Sequence, residues 1–150
     1  MREIKFRVWG LVADDFMMLP VSQLSWDEHD DGILRLHFCG CLGEKMQGSF
    51  GVHSGFGNVD GSEDTGWVLM QYTGLKDKNG KEICEGDILS FGNWSDIKKP
   101  CLFKVYWNAE SASFDIWDLR HNKWGGQLDA FSEVIGNIYE TPELLEVSHG

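Results

Sequence analysis

Residues 101–118 read CLFKVYWNAESASFDIWD, and the period of two in them decides the fold class. Cys101, Phe103, Val105 and Trp107 alternate with Leu102, Lys104 and Tyr106, so one set of side chains faces each side of an extended strand. Asn108 to Ser111 supplies turn-forming residues, and the run around Phe114 and Ile116 makes a second strand. The same period recurs outward in both directions. Towards the N-terminus it appears in Ile4-Phe6-Val8, in Leu34-Leu36-Phe38 and in Val68-Met70-Tyr72, with a shorter apolar segment at Phe16–Leu19 that Pro20 is expected to end. Ile88 to Phe91 and Val134 to Tyr139 complete the set of strands. Between them, Asn79-Gly80 is a hairpin signal because both residues tolerate positive φ, and Glu85-Gly86-Asp87 is a second turn.

Composition agrees with this reading. The chain has 150 residues with 18 glycines but 3 prolines, and 13% of it is aromatic, including 7 tryptophans. Glycine suits tight turns, and aromatic residues suit the half-buried face of a sheet. A single helix signal occurs near the C-terminus. Thr141-Pro142-Glu143 offers a capping hydroxyl, a proline for the first helical position and an acid for the first turn. The residues that remain allow one or two turns, enough to seal one edge or end of a sheet. Residues 48–66 are glycine-rich and without periodicity, and are expected to form a long loop or a flexible β-excursion. The chain is therefore read as one domain, residues 1–150, all-β, built of short, strongly bent antiparallel strands with a short C-terminal helix. An SH3-like barrel is one form its C-terminal half could take.

Charge and cysteine usage narrow the function classes. Lys plus Arg is 13 and Asp plus Glu is 24, a net charge of −11. That balance argues against binding nucleic acid by neutralising phosphates, and Lys98-Lys99 is the only local basic signal. An acidic protein can still act as a DNA mimic or be associated with nucleic acid through another protein. No segment reaches the ~20 apolar residues of a membrane-spanning helix. No apolar segment follows Met1-Arg2-Glu3-Ile4-Lys5, so a cytoplasmic location is expected, with Cys39, Cys41, Cys84 and Cys101 reduced.

Each candidate for chemistry fails on spacing. His37-Phe38-Cys39-Gly40-Cys41 carries donors that zinc favours, but it is one Cys-x-Cys rather than a pair of knuckles, and buried apolar thiols are the expected alternative. No catalytic signature surrounds any cysteine, although His37 and His53 lie nearest in sequence. Asp27, Asp31 and Gly32 fit three positions of a calcium loop, yet its twelfth position holds Phe38, and the Asp60 run has Thr65 where glycine belongs. Gly55-Phe56-Gly57 lacks a following helix and Gly-Lys-Ser/Thr ending, and Val52 breaks the hydrolase elbow around Ser54. No catalytic residue, metal ligand or cofactor is therefore assigned, and no enzymatic activity is expected. Trp94, Trp107, Trp117 and Trp124 are candidate interface anchors, with at least half expected to be largely buried.

Residues 70–83, MQYTGLKDKNGKEI, followed by Glu85-Gly86-Asp87-Ile88, resemble the YopX family of phage and prophage proteins. Val134-Ile135-Gly136-Asn137-Ile138-Tyr139-Glu140-Thr141-Pro142-Glu143-Leu144-Leu145 resembles the family's closing segment, and Ile4-Lys5-Phe6-Arg7-Val8-Trp9 its opening. Residues 67–145 hold the best-matched region, and 11–66 have no detailed counterpart. Gly10 replaces a usual aspartate, and Cys84 replaces a usual aromatic residue. The resemblance implies a β-rich intracellular protein of phage or prophage origin, with self-association. It implies no established activity. Tyr72 and Leu75 are expected to pack within the fold. A non-enzymatic accessory protein that binds itself or a host or phage protein is thus the leading expectation, and a nucleic-acid-associated protein or DNA mimic the alternative.

Overall fold

The computed structural model describes residues 3–12, 15–26, 34–38, 49–52, 67–91 and 101–148. These residues build eleven strands and one helix. The chain falls into two compact units, Lys5–Met70, and Met1–Ile4 together with Gln71–Gly150.

In the first unit, β1 (Phe6–Val12), β2 (Asp15–Trp26), β3 (Leu34–Phe38) and β4 (Ser49–Val52) form an antiparallel meander in the order β4-β3-β2-β1. Period-two alternation places Val8 opposite Leu19, and both are buried. Trp9 stacks on Phe16 with ring centroids 5.9 Å apart, a cross-strand aromatic pair that supports the register. One expectation is corrected here. Pro20 does not end β2 but pairs with Arg7 inside it. It lies one position before Val21, where the β3 ladder begins, a place at the margin of pairing that tolerates a missing N–H. Within the 48–66 segment, read as loop or β-excursion, Ser49–Val52 forms strand β4, paired with β3 from Leu34↔Val52 to His37↔Ser49. Residues 53–66 lie outside the described residues.

Strand β5 (Trp67–Lys76) leads into the second unit, where its later part pairs with β6 (Glu82–Cys84). There β7 (Asp87–Phe91), β8 (Leu102–Asn108), β9 (Ser113–Asp118), β10 (Lys123–Gln127) and β11 (Ser132–Asn137) form a five-stranded antiparallel sheet in the order β10-β9-β8-β7-β11. Alternation divides its side chains between two apolar layers. Leu89, Val105, Ile116 and Val134 pack with Ile83 on one layer, joined by Phe91, Phe103 and Leu128. Ile88, Leu102 and Leu119 form the other with Trp117 and Ile138, and helix α1 (Glu143–Ser148) covers it with Leu144 and Leu145. Among the described residues no ladder joins β10 to β11, so the sheet is open and the SH3-like barrel suggested for this half is not a closed one.

The turn before β6 is built by one side chain. Gly80 N–H donates to the Asp77 carbonyl at 3.0 Å, and Gly80 has φ +83° while Asn79 is not among the positive-φ residues. This is a three-residue turn with only its last residue left-handed, rather than the two-residue turn with two positive φ values that Asn-Gly suggests. Asp77 Oδ1 accepts the N–H groups of Asn79 and Lys81 at 2.8 and 2.9 Å, and Oδ2 accepts that of Val134 at 3.0 Å. One carboxylate thus shapes the turn and ties it to β11. Tyr72 is buried as expected, but Leu75 is not, being 36% exposed on the turn side of β5.

The end of β11 differs from expectation by two residues. Asn137 Oδ1 accepts the N–H groups of Tyr139 and Glu140, which turns the chain after Asn137 instead of after Tyr139. The Thr141 hydroxyl does not cap α1 as expected. It accepts from Asn137 N–H and donates to the Asn137 carbonyl, both at 2.9 Å, while the Thr141 carbonyl accepts from Leu144 N–H. Threonine here clamps strand to helix.

Candidate functional site

Helix α1 covers only one end of its face of the five-stranded sheet. At the other end Tyr106 and Asn108 of β8, Asp115 of β9, and Trp124 and Gln127 of β10 line an open cleft of about 390 Å³, with Glu110 and Ser111 at its rim. Register explains the grouping. Tyr106 pairs with Asp115, and Trp124 pairs with Trp117 two residues further along β9 on the same face. Tyr106 meets Trp117 edge-on at 6.2 Å, so the aromatic wall is continuous with the layer under α1.

Strand β10 carries the cleft's outer wall and depends on two glycines. A Cβ on Gly125 would lie 2.8 Å from Phe103 Cδ1, so only glycine lets the strand lie this close. Gly126 has φ +120° and sits at a register shift next to Trp124. This bulge aims Trp124 over the cleft from a sheet edge.

Asp115 organises the floor. It is 2% exposed, and its carboxylate accepts from Asn108 Nδ2 at 2.8 Å, Ser113 Oγ at 2.8 Å and Trp124 Nε1 at 3.0 Å. Burial pushes the carboxyl up, but the hydrogen bonds from Asn108, Ser113 and Trp124 outweigh it and hold the group below the ordinary carboxylate range. Burial, then the fields of Asp115 and Glu110, push the Tyr106 hydroxyl up, so it stays a neutral donor at physiological pH. A buried anion thus fixes the exposed indole.

This geometry sets a pH expectation. Because the folded carboxyl titrates below its unfolded value of ~3.9, its contribution is complete above that range and vanishes as pH falls through the lower folded value. Asp115→Asn is expected to cost about 1–3 kcal/mol at neutral pH. Urea unfolding of both proteins across a pH series should show the two stabilities converging on acidification. A constant difference down to pH 2 would contradict this assignment.

The residues singled out in the sequence are mostly not brought together. His37 lies in β3, while Cys39, Cys41, residues 27–33, residues 53–66 and Trp94 lie outside the described residues. Cys84 is a buried cysteine on β6 and Cys101 a half-buried one before β8, neither of them in a disulfide. Among the described residues no three His, Cys, Asp or Glu side chains are grouped to hold a metal. Three of the four later tryptophans are among the described residues. Trp107 is 45% and Trp124 56% exposed, and Trp117 is half-buried. Trp107 packs edge-on against Phe114 at 5.0 Å, on the face opposite Trp124, so the two exposed indoles do not form one patch. Asp115 went unnoticed in the sequence. Its signal was an aspartate in the middle of Phe-Asp-Ile-Trp-Asp, where strand propensity disfavours it.

Two β units, one with an open five-stranded sheet, and a short helix near the C-terminus define an all-β protein class among the described residues. Among the described residues no helix is long and apolar enough to cross a membrane. The chain belongs to the YopX family, whose profile, described as YopX protein, matches residues 5–146. Among solved structures it is similar to protein EF1440 from Enterococcus faecalis, with 26% identity and a TM-score of 0.58, over 97% of this chain and 99% of that one. It also shares the fold of YopX from Bacillus subtilis, with 21% identity and a TM-score of 0.52, over 94% and 95% of the two chains. No curated protein matches the sequence.

Proposed function

We propose that this YopX-family chain is a non-enzymatic accessory protein of a phage or prophage, acting in the bacterial cytoplasm by binding protein, either a second copy or a host or phage factor. The observation that carries this reading is Trp124, which stands 56% exposed on an edge strand with its indole N–H held by the buried Asp115 carboxylate. A tryptophan contributes much of the energy where it becomes buried at an interface, and fixing it beforehand lowers the ordering cost of binding. Among the described residues no strand pairs with the outer edge of β10 beside it, and that edge offers backbone groups to a partner strand. Part of the acidic character points inward. Asp77, Asp87, Asp115 and Asp118 are all buried, and each carboxylate accepts hydrogen bonds from its own fold. These charges are not displayed as a row of phosphate mimics, which favours protein binding over DNA mimicry.

Trp124→Ala tests the reading. It removes the exposed ring and one hydrogen bond, so the folding cost is expected to be about 1 kcal/mol. Association, followed by light scattering for self-assembly and by capture for another protein, is expected to weaken at least about thirtyfold, corresponding to about 2 kcal/mol for an anchor residue. Association unchanged in a folded Trp124→Ala protein would reject Trp124 as the anchor.

A further inference from the structure

We propose that the cleft beside Trp124 takes the cationic head of an arginine or lysine side chain presented by the protein partner. This rests on the binding-module reading and names the chemistry of the same site. The cleft is lined by two carboxylates, Glu110 and Asp115, two aromatic side chains, Tyr106 and Trp124, and neutral Asn108, Ser111 and Gln127. Among the described residues its lining holds no Lys, Arg or His, so it offers an anion no counter-charge. Asp115 is already committed to Asn108, Ser113 and Trp124, and acts on a guest through its field. Glu110 differs. It is exposed, and among the described residues only its backbone N–H is engaged, by Asn108 Oδ1. Its carboxylate is available to accept from a guanidinium or ammonium. The rings of Tyr106 and Trp124 supply faces against which a cation is attracted. Ser111 and Gln127 add acceptors at the rim. The volume of about 390 Å³ admits the end of a long side chain but not a folded segment.

The test uses the whole chain and three small probes of similar shape, butylguanidinium, butylammonium and neutral butylurea. The Trp124 indole N–H signal, assigned by its absence in Trp124→Phe, reports occupancy by NMR. Saturable shifts are expected with both cations, with Kd on the order of millimolar for ligands of so few atoms, and none with the urea. Glu110→Gln should weaken binding about threefold to tenfold, and added salt should weaken it further. Equal responses to cations and urea, or no response to the cations, would overturn the proposal. Partner capture then separates the possible sources. Loss in both Glu110→Gln and Trp124→Ala supports a docked cationic side chain. Loss in Trp124→Ala with full retention in Glu110→Gln overturns the cation reading but leaves the module reading standing. Retention in both overturns both readings. Cation binding combined with capture indifferent to Glu110→Gln means free amines are the ligand, and overturns the docking.

Discussion

Asp77→Ala is expected to cost about 3–5 kcal/mol, a large share of the stability of a domain this size. The carboxylate is 6% exposed and accepts three backbone N–H groups, from Asn79, Lys81 and Val134. Alanine leaves these donors without their partner and removes one tie between the turn and β11, 57 residues further along the chain, while the Lys78 N–H to Ser132 carbonyl bond remains. Burial raises the carboxyl's titration, and the three backbone donors and Lys81 more than reverse it, leaving it low. Its stabilisation is therefore complete above the ordinary aspartate value of ~3.9 and is lost as pH falls through the depressed one. Denaturant unfolding of Asp77→Ala and Asp77→Asn decides the matter. Asparagine keeps the shape and one acceptor oxygen, so it should fall between alanine and the original. A cost below about 1 kcal/mol for alanine would show that the turn holds itself.

Gly136→Ala is expected to cost about 2–4 kcal/mol, by overpacking. The residue has no left-handed φ, so conformation is not the reason. The added Cβ would collide with Thr141 Oγ1 and meet Leu144 Cδ1 at 2.9 Å. Leucine can shift. Thr141 can clear the space only by giving up both of its bonds to Asn137, the clamp between β11 and α1. Thermal unfolding should show a drop of several degrees, and Thr141→Ala should relieve part of it, so that the double variant is less destabilised than the sum of the two. A melting temperature unchanged in Gly136→Ala would mean that α1 is not seated on β11 as described.

These two positions also show what a single sequence discloses. Phe103-Val105-Trp107 and Phe114-Ile116 announced β8 and β9 because alternation is local and one face of each strand is buried. Thr141-Pro142 announced α1, although the threonine serves a tertiary clamp rather than a cap. Strand β10 was not legible. Lys123-Trp124-Gly125-Gly126-Gln127 has no alternation, and its glycines answer to Phe103 and to a bulge, both non-local causes. Pro20 misled for the same reason, since its tolerance depends on where the neighbouring ladder starts. The cleft was half legible. Trp124 stood out as a possible anchor, but its exposure and its bond to Asp115 arise from pairing across three strands. Family membership was readable from three segments whose turn and clamp residues, Asp77, Gly80, Gly86, Gly136 and Thr141, the structure accounts for one by one.

Affinity capture from host cells with the tagged chain and its Trp124→Ala variant side by side, after nuclease treatment, tests the central claim most directly. Mass spectrometry should identify a defined protein retained by the original chain and lost from the variant, or light scattering should show a discrete oligomer of the chain that the variant fails to form. Capture that is equal for the two chains, or that disappears with nuclease, would contradict a protein-binding module anchored at Trp124.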